Sequence, residues 1–150
     1  MAGQHFRAGV VIVVRHPDHR LVLAFERADT PGAWQLPQGG LDQGEEPLEG
    51  AWRELLEETG LGPEHVIARA EYPDWVAYEW PSEIMQMHGR DGRRRGQIQK
   101  WFLFDVHDPT VQPRPDGSEF VGWQWVEPAW LIEQVPVWRR DAYRRVLETL

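Results

Sequence analysis

The stretch Gly39–Leu61, GGLDQGEEPLEGAWRELLEETGL, decides how the rest of the chain is read. Its second half predicts a short helix. Pro47 suits a first helical position, where its missing N–H costs nothing. Asp42, Glu45 and Glu46 favour the positive end of the helix dipole. Gly60 is a C-terminal stop, and Gly62-Pro63 block continuation. Leu48, Ala51, Trp52, Leu55 and Thr59 recur at helical spacing as an apolar stripe. Glu54, Glu57 and Glu58 are spaced i, i+3 and i+4, so they are neighbours, expected on the side away from that stripe. Three carboxylates roughly 6 Å apart repel by about 3 kcal/mol per pair at an effective dielectric near 20. Solvent, protons or cations must relieve that repulsion.

Most glutamate-rich helix faces are only solvated. Two features point further here. Arg53 and Glu57 are i, i+4 partners, so a cation can fix one carboxylate. The Pro37-Gln38-Gly39-Gly40 turn brings backbone carbonyls close to the cluster, because glycine permits close approach. Hard oxygen ligands suit Mg²⁺ or Mn²⁺ rather than zinc. The chain contains no cysteine, which removes disulfides, thiol catalysis and thiolate metal sites and fits a reducing cytoplasm.

Gly39–Leu61 resembles the signature box of the Nudix hydrolases at every defining position. The similarity extends to Trp34–Gly40, Gly96–Phe102, Glu119–Val126 and Arg139–Arg145, which resemble the branch of bacterial RNA pyrophosphohydrolases and dinucleoside polyphosphate hydrolases. The resemblance implies an α/β fold, an α/β/α sandwich with a central mixed sheet and a loop-helix-loop catalytic box. It implies Mg²⁺-dependent hydrolysis of phosphoanhydride bonds, with Mn²⁺ as an alternative ion. The metal ligands are then Glu54, Glu57 and Glu58, with the Gly39 carbonyl. Arg53 orients Glu57 or Glu45. Glu57 is the first choice of general base and Glu54 the second. Glu119 falls at a metal-binding or catalytic position of the branch; read without the resemblance, it is an exposed loop carboxylate.

Other residues carry weaker signals. Arg7 and Arg27 match phosphate-contacting positions of the branch, or are solvent-facing strand-end arginines. Gln97 and Gln99 alternate with Ile98 and Lys100 and so share a face. They either hydrogen-bond a base or ribose or cross-link neighbouring strands. Trp138, followed by Arg139 and Arg140, can stack a base and hold phosphate, or anchor a helix in the core. Tyr78 is a further stacking candidate. The six histidines are scattered and read as structural or solvent-facing.

The 150 residues read as one domain, 1–150. A formal net charge of −8 argues against broad nucleic-acid binding and against DNA as a partner. Residues 1–75 hold 6 basic and 13 acidic side chains, and residues 76–150 hold 10 and 11. The acidic half holds the carboxylate cluster, while arginines gather at Arg90, Arg93–Arg95 and Arg139–Arg145. Such a chain can hold cations with one region and a polyanion's tail with the other. No apolar run reaches the length of a membrane span.

Strands are predicted at Arg7–Arg15, Leu21–Phe25 as its hairpin return, Val66–Tyr72, Trp75–Trp80, Gln97–Val106 and Phe120–Val126. Ser82–Gly96 lacks a period and reads as a mobile loop. Pro128–Val135 suits one helical turn, and Trp138–Leu150 a helix. The acidic Glu79–Glu83 segment departs from RNA-acting relatives, for which the Arg93–Arg95 run can compensate. The expected substrates are triphosphorylated RNA 5′ ends or dinucleoside polyphosphates. A nucleoside triphosphate hydrolase of the housecleaning kind and a non-catalytic nucleotide-binding module are the competing readings. Oligomeric state is not legible.

Overall fold

The computed structural model describes residues 5–88 and 94–150. In chain order the elements are β1 (His5–Arg15), β2 (Val22–Arg27), β3 (Trp34–Gln35), β4 (Gln38–Gly40), α1 (Pro47–Thr59), β5 (Val66–Glu71), β6 (Val76–Glu79), α2 (Ser82–His88), β7 (Arg94–Val106), β8 (Phe120–Val126), α3 (Pro128–Gln134) and α4 (Val137–Leu147). β1 is the spine. It pairs with β7 in parallel from His5↔Arg94 to Arg15↔Asp105. Its apolar run is continuous because it is covered on both faces.

Alternation along the two strands builds two cores. Val11, Val13, Trp101 and Leu103 face α3 and α4, packing with Leu131, Tyr143, Val146 and Leu147. Val10, Ile12, Val14, Phe102 and Phe104 face α1, packing with Ala51 and Leu55. The result is a mixed sheet between helical layers, the expected α/β/α sandwich. At the far end of β1, Arg15 Nε and Nη2 donate to Asp105 at 2.8 and 3.0 Å, and Arg69 Nε adds a third bond at 3.0 Å. That bidentate pair locks the ends of β1, β5 and β7 together.

The other edge of β1 forks. Near its C-terminal end it meets β2, at Arg15↔Val22. Further back it pairs with β4 instead, from Gly9↔Gly40 to Val11↔Gln38. β2 carries β3 and β8 away on the second prong. The hairpin expected of β1 and β2 is therefore narrow, and the main partner of β2 is β8. Strands β3 and β4 are absent from the sequence reading, since two or three residues show no period.

Three other expectations are corrected. Ser82–Gly96 is not one loop: Ser82–His88 is helical, and β7 begins at Arg94. Arg90 and Arg93 lie outside the described residues. Pro128–Gln134 forms a helix longer than the single turn expected. In α1 the boundaries agree, and Gly60 takes the left-handed C-cap at φ 74°, which glycine adopts at little cost. The buried face is rotated, however. Ala51, Leu55, Glu58 and Thr59 are buried, while Leu48 is 43% exposed. Glu58 therefore lies on the core side of α1 rather than away from it.

A buried tyrosine joins the α4 layer to the fork. Tyr143 packs edge-on to Trp101, with centroids 5.2 Å apart. Its hydroxyl oxygen accepts the Leu36 backbone N–H at 3.0 Å, holding the segment between β3 and β4. Burial pushes the phenol up to about 12, so the hydroxyl stays neutral. Tyr143→Phe leaves the Leu36 N–H unpaired inside the protein and is expected to destabilise the fold by about 1–2 kcal/mol. Urea denaturation with an unchanged m-value is the check.

Candidate functional site

The fork of the sheet opens a polar cleft of about 210 Å³. One prong supplies Gln38, Gly39 and Gly40 from β4. The other supplies Arg27 from β2, Gln35 from β3, and Glu119 just before β8. The floor comes from Arg7 on β1 and Gln97 on β7. Glu54 and Glu58 enter from α1, and Arg139 from α4. Glycine permits the close approach of side chains and backbone here. A Cβ on Gly39 would collide with the Glu54 carboxylate, and one on Gly40 with the Arg7 guanidinium. A Cβ on Gly9 would press on the Gly39 carbonyl oxygen at 2.6 Å.

Arg53 organises the acidic wall. Its Nε and Nη2 donate to Glu45 at 2.8 Å each, Nη2 also to the Gly40 carbonyl at 3.0 Å, and Nη1 to Glu54 at 2.7 Å. The expected Glu57 contact exists but is long, at 3.4 Å. Arg53 therefore ties the β4 turn, the connecting loop and α1 together. Its hydrogen bond, with that of the Asp42 N–H, lowers the Glu45 carboxyl to about 2.

Glu58 is 4% exposed, and its Oε2 is buried without a hydrogen-bond partner. Burial first, then the hydrogen bond and charge of Glu54 and the charge of Glu119, push its carboxyl well above the usual range, against the pull of the Gln38 N–H. A carboxylate kept in such a place is costly to the fold. The loop after β7 docks on the end of α1: the Arg114 and Asp116 N–H groups donate to the Thr59 and Glu58 backbone carbonyls at 2.7 and 3.2 Å. Asp116 then turns the chain by accepting the N–H groups of Ser118, Glu119 and Phe120 at 3.2, 2.9 and 3.1 Å. This delivers Glu119 to the mouth of the cleft beside Glu58. Among the described residues no three acidic or histidine side chains converge into a finished metal cage. The carboxylates instead line one cleft, with Glu54 held by Arg53.

The lining is also cationic, with an aromatic ring beside it. Arg139 Nη1 donates to Gln35 Oε1 at 3.0 Å, and its guanidinium lies 5.6 Å from the Tyr78 ring centroid. A recess of about 180 Å³ continues from the cleft past Trp80, Ile84, Pro136 and Trp138. A wider groove of about 580 Å³ runs on beside Trp34, Val137 and Arg140.

Of the residues picked from sequence, Arg7, Arg27, Gly39, Glu54, Glu58, Gln97, Glu119 and Arg139 meet in the cleft, with Trp138 in the adjoining recess. Arg53 stands behind them. Glu57 lies outside the cleft lining, its side chain 58% exposed. Tyr78 is buried under Arg139, and Gln99 is buried behind Gln97. Sequence reasoning missed Gln35, Gln38 and Asp116. The first two flank the box in a stretch too short for periodicity, and the Asp-Gly-Ser turn gave the only local hint of the third. Arg95 bonds Glu79 at 2.9 Å and so partly neutralises the acidic segment.

Residues 5–146 match the family model described as NUDIX domain. An RNA pyrophosphohydrolase of Cereibacter sphaeroides is 41% identical over 146 residues, covering 94% of this chain and 86% of that protein. Nudix hydrolase 25 of Arabidopsis thaliana is 34% identical over 152 residues, covering 96% and 85%. The solved structure of the E. coli dihydroneopterin triphosphate pyrophosphohydrolase shares the fold, with a TM-score of 0.73 at 19% identity over 98% of this chain and 100% of that one.

The depressed Glu45 carboxyl contributes stability that is present above its unfolded value near 4.5 and is lost as pH falls through about 2. Glu45→Gln should therefore be less stable than the parent at pH 7, with the gap closing progressively between pH 4.5 and pH 2. Chemical denaturation of both proteins across that range reads the difference.

Proposed function

Because the chain belongs to the Nudix family and is a pyrophosphohydrolase of that family, we propose that it acts on the 5′ end of triphosphorylated RNA. The observation that carries this reading is one cleft lined by both carboxylates and arginines. Carboxylates of Glu54, Glu58 and Glu119 line the same cleft of about 210 Å³ as the guanidinium-bearing Arg7, Arg27 and Arg139. The groove beyond Trp138 gives the body of a longer substrate somewhere to lie. The name carried by the relative at 41% identity supports the same choice. Dinucleoside polyphosphates share the phosphate chain and base and are the nearest competitor.

A divalent cation fits the acidic wall. All donors there are hard oxygens, and Glu58 Oε2 is buried and unpartnered. Glu54, Glu58, Glu119 and the Gly39 carbonyl would hold Mg²⁺ or Mn²⁺, with Glu57 at the rim. Such an ion neutralises phosphate charge and polarises the bond to be broken. The chain's own residues do the rest. Arg7 and Arg27 bind phosphate oxygens, and Arg139, fixed by Gln35, sets their direction. Trp138 covers the base. Glu54 and Glu119 line the cleft and are better placed than Glu57 to accept the proton of attacking water. Water adds to a phosphorus, the P–O–P bridge breaks, and pyrophosphate leaves with the bridging electrons.

Purified protein with Mg²⁺ should show a higher kcat/KM for triphosphorylated RNA than for diadenosine tetraphosphate or any nucleoside triphosphate. A clear preference for one of the others overturns the substrate choice. Glu119→Gln is expected to lower kcat by about tenfold or more at saturating Mg²⁺ with an unchanged thermal midpoint. Turnover within about threefold of the parent would remove Glu119 from the catalytic set.

A further inference from the structure

Gln99 touches none of the surfaces described above, yet its surroundings are unusual. It is 1% exposed. Across the sheet it stands in one row with Gly9 and Gly40, paired through Gly9↔Gln99 and Gly9↔Gly40. Val76 continues the row on the β6 side, so Gln99 meets bare backbone only toward β1 and β4. The row on one side holds Arg7 and Gln97, and the row on the other holds Val11 and Gln38. With no side chain on Gly9 or Gly40, the Gln99 amide has room to reach both rows. Its Nε2 is 2.9 Å from Gln97 Oε1 and 3.5 Å from Gln38 Oε1.

An amide nitrogen only donates, and an amide oxygen only accepts. A buried Gln99 that spends its N–H groups on two neighbouring oxygens fixes which end of each neighbour is left over. Gln97 and Gln38 both line the cleft. We infer that Gln99 is a positioning residue that turns the NH₂ ends of Gln97 and Gln38 toward the cleft, giving it a neutral donor wall for phosphate oxygens. This deepens the polyphosphate reading and rests on it. The wall adds grip without adding charge. That matters because further cations beside Glu54 and Glu58 would compete with a metal for the carboxylates. It also gives the two glutamines a direction that side-chain amides lack by themselves: reversed, they would present oxygens and repel the same ligand.

The relay makes Gln99 the switch for the wall's polarity. Glutamate at this position has nearly the same shape but accepts in place of donating. It draws the NH₂ groups of Gln97 and Gln38 inward and leaves their oxygens facing the cleft. Methionine has a similar length and directs neither amide.

Gln99→Glu should raise the KM for triphosphorylated RNA by about tenfold, the scale of a lost hydrogen bond to a charged group, with kcat within about twofold. Gln99→Met should raise KM by a smaller factor, about threefold, because its neighbours still reach the productive orientation part of the time. In the Gln99→Glu background, Gln97→Met should cost little more, since the contact is already gone. A KM unchanged in Gln99→Glu, or losses of kcat and thermal midpoint that track each other across both variants, would overturn the assignment.

The wild-type protein supplies a test that needs no variant to fold. With glutamine side-chain amides labelled, metal-free inorganic pyrophosphate should shift the NH₂ resonances of Gln97 and Gln38 and leave that of Gln99 in place. Shifts on Gln99 instead, or on none of the three, would refute the donor wall. If wild-type protein ignores triphosphorylated RNA but passes the pyrophosphate titration, the substrate choice fails and the relay stands.

Discussion

Four carboxylates crowd around one guanidinium. Arg53 meets Glu54 at 2.7 Å, Glu45 at 2.8 Å, and Asp42 and Glu57 at 3.4 Å each, while also donating to the Gly40 carbonyl. Without a cation at that point the acidic groups would push the helix, the loop and the β4 turn apart. Because the guanidinium is planar and presents several donors in fixed directions, it serves several acceptors where a lysine ammonium would act as a point charge. The glycine turn can press against the helix only because this arginine holds both.

The same economy is visible in the sheet. β1 exchanges one partner for another along its length, and the exchange creates the cleft. Wherever a strand leaves its neighbour, backbone groups lose their ladder partners and must find others. Here the Ile12 N–H finds the Pro37 carbonyl at 3.0 Å and the Leu41 N–H the Ala8 carbonyl at 3.1 Å. The Leu36 N–H goes to Tyr143. Around the opening these backbone groups therefore keep their partners where the ladder ends.

Stability and activity pull against each other most plainly at Glu58. An apolar residue would suit its place on the buried face of α1. Instead the fold encloses a carboxylate, leaves one oxygen unpartnered, and sets Glu54 and Glu119 close by. Under the proposed function a divalent cation would offset that cost, because its charge would reverse the sign of each of those contacts.

Much of this was legible in the residues alone. Proline at the start and glycine at the end gave α1 its boundaries, and alternation gave β7 and β8, since these are local rules of backbone geometry. The expected chemistry came through the resemblance of Gly39–Leu61 to the Nudix box, since a glutamate-rich helix face by itself is most often only solvated. The sequence could not say that β1 lies parallel to β7, whose partners stand some ninety positions away and leave no local trace. Nor could it rank three neighbouring glutamates. Helical spacing placed Glu54, Glu57 and Glu58 together, but only the folded chain shows Glu58 buried and Glu57 left in solvent, while the Arg114–Asp116 loop lands on the end of α1. Residue order sets what each segment can become; burial is a property of what packs against it, and that exists only once the chain has closed on itself.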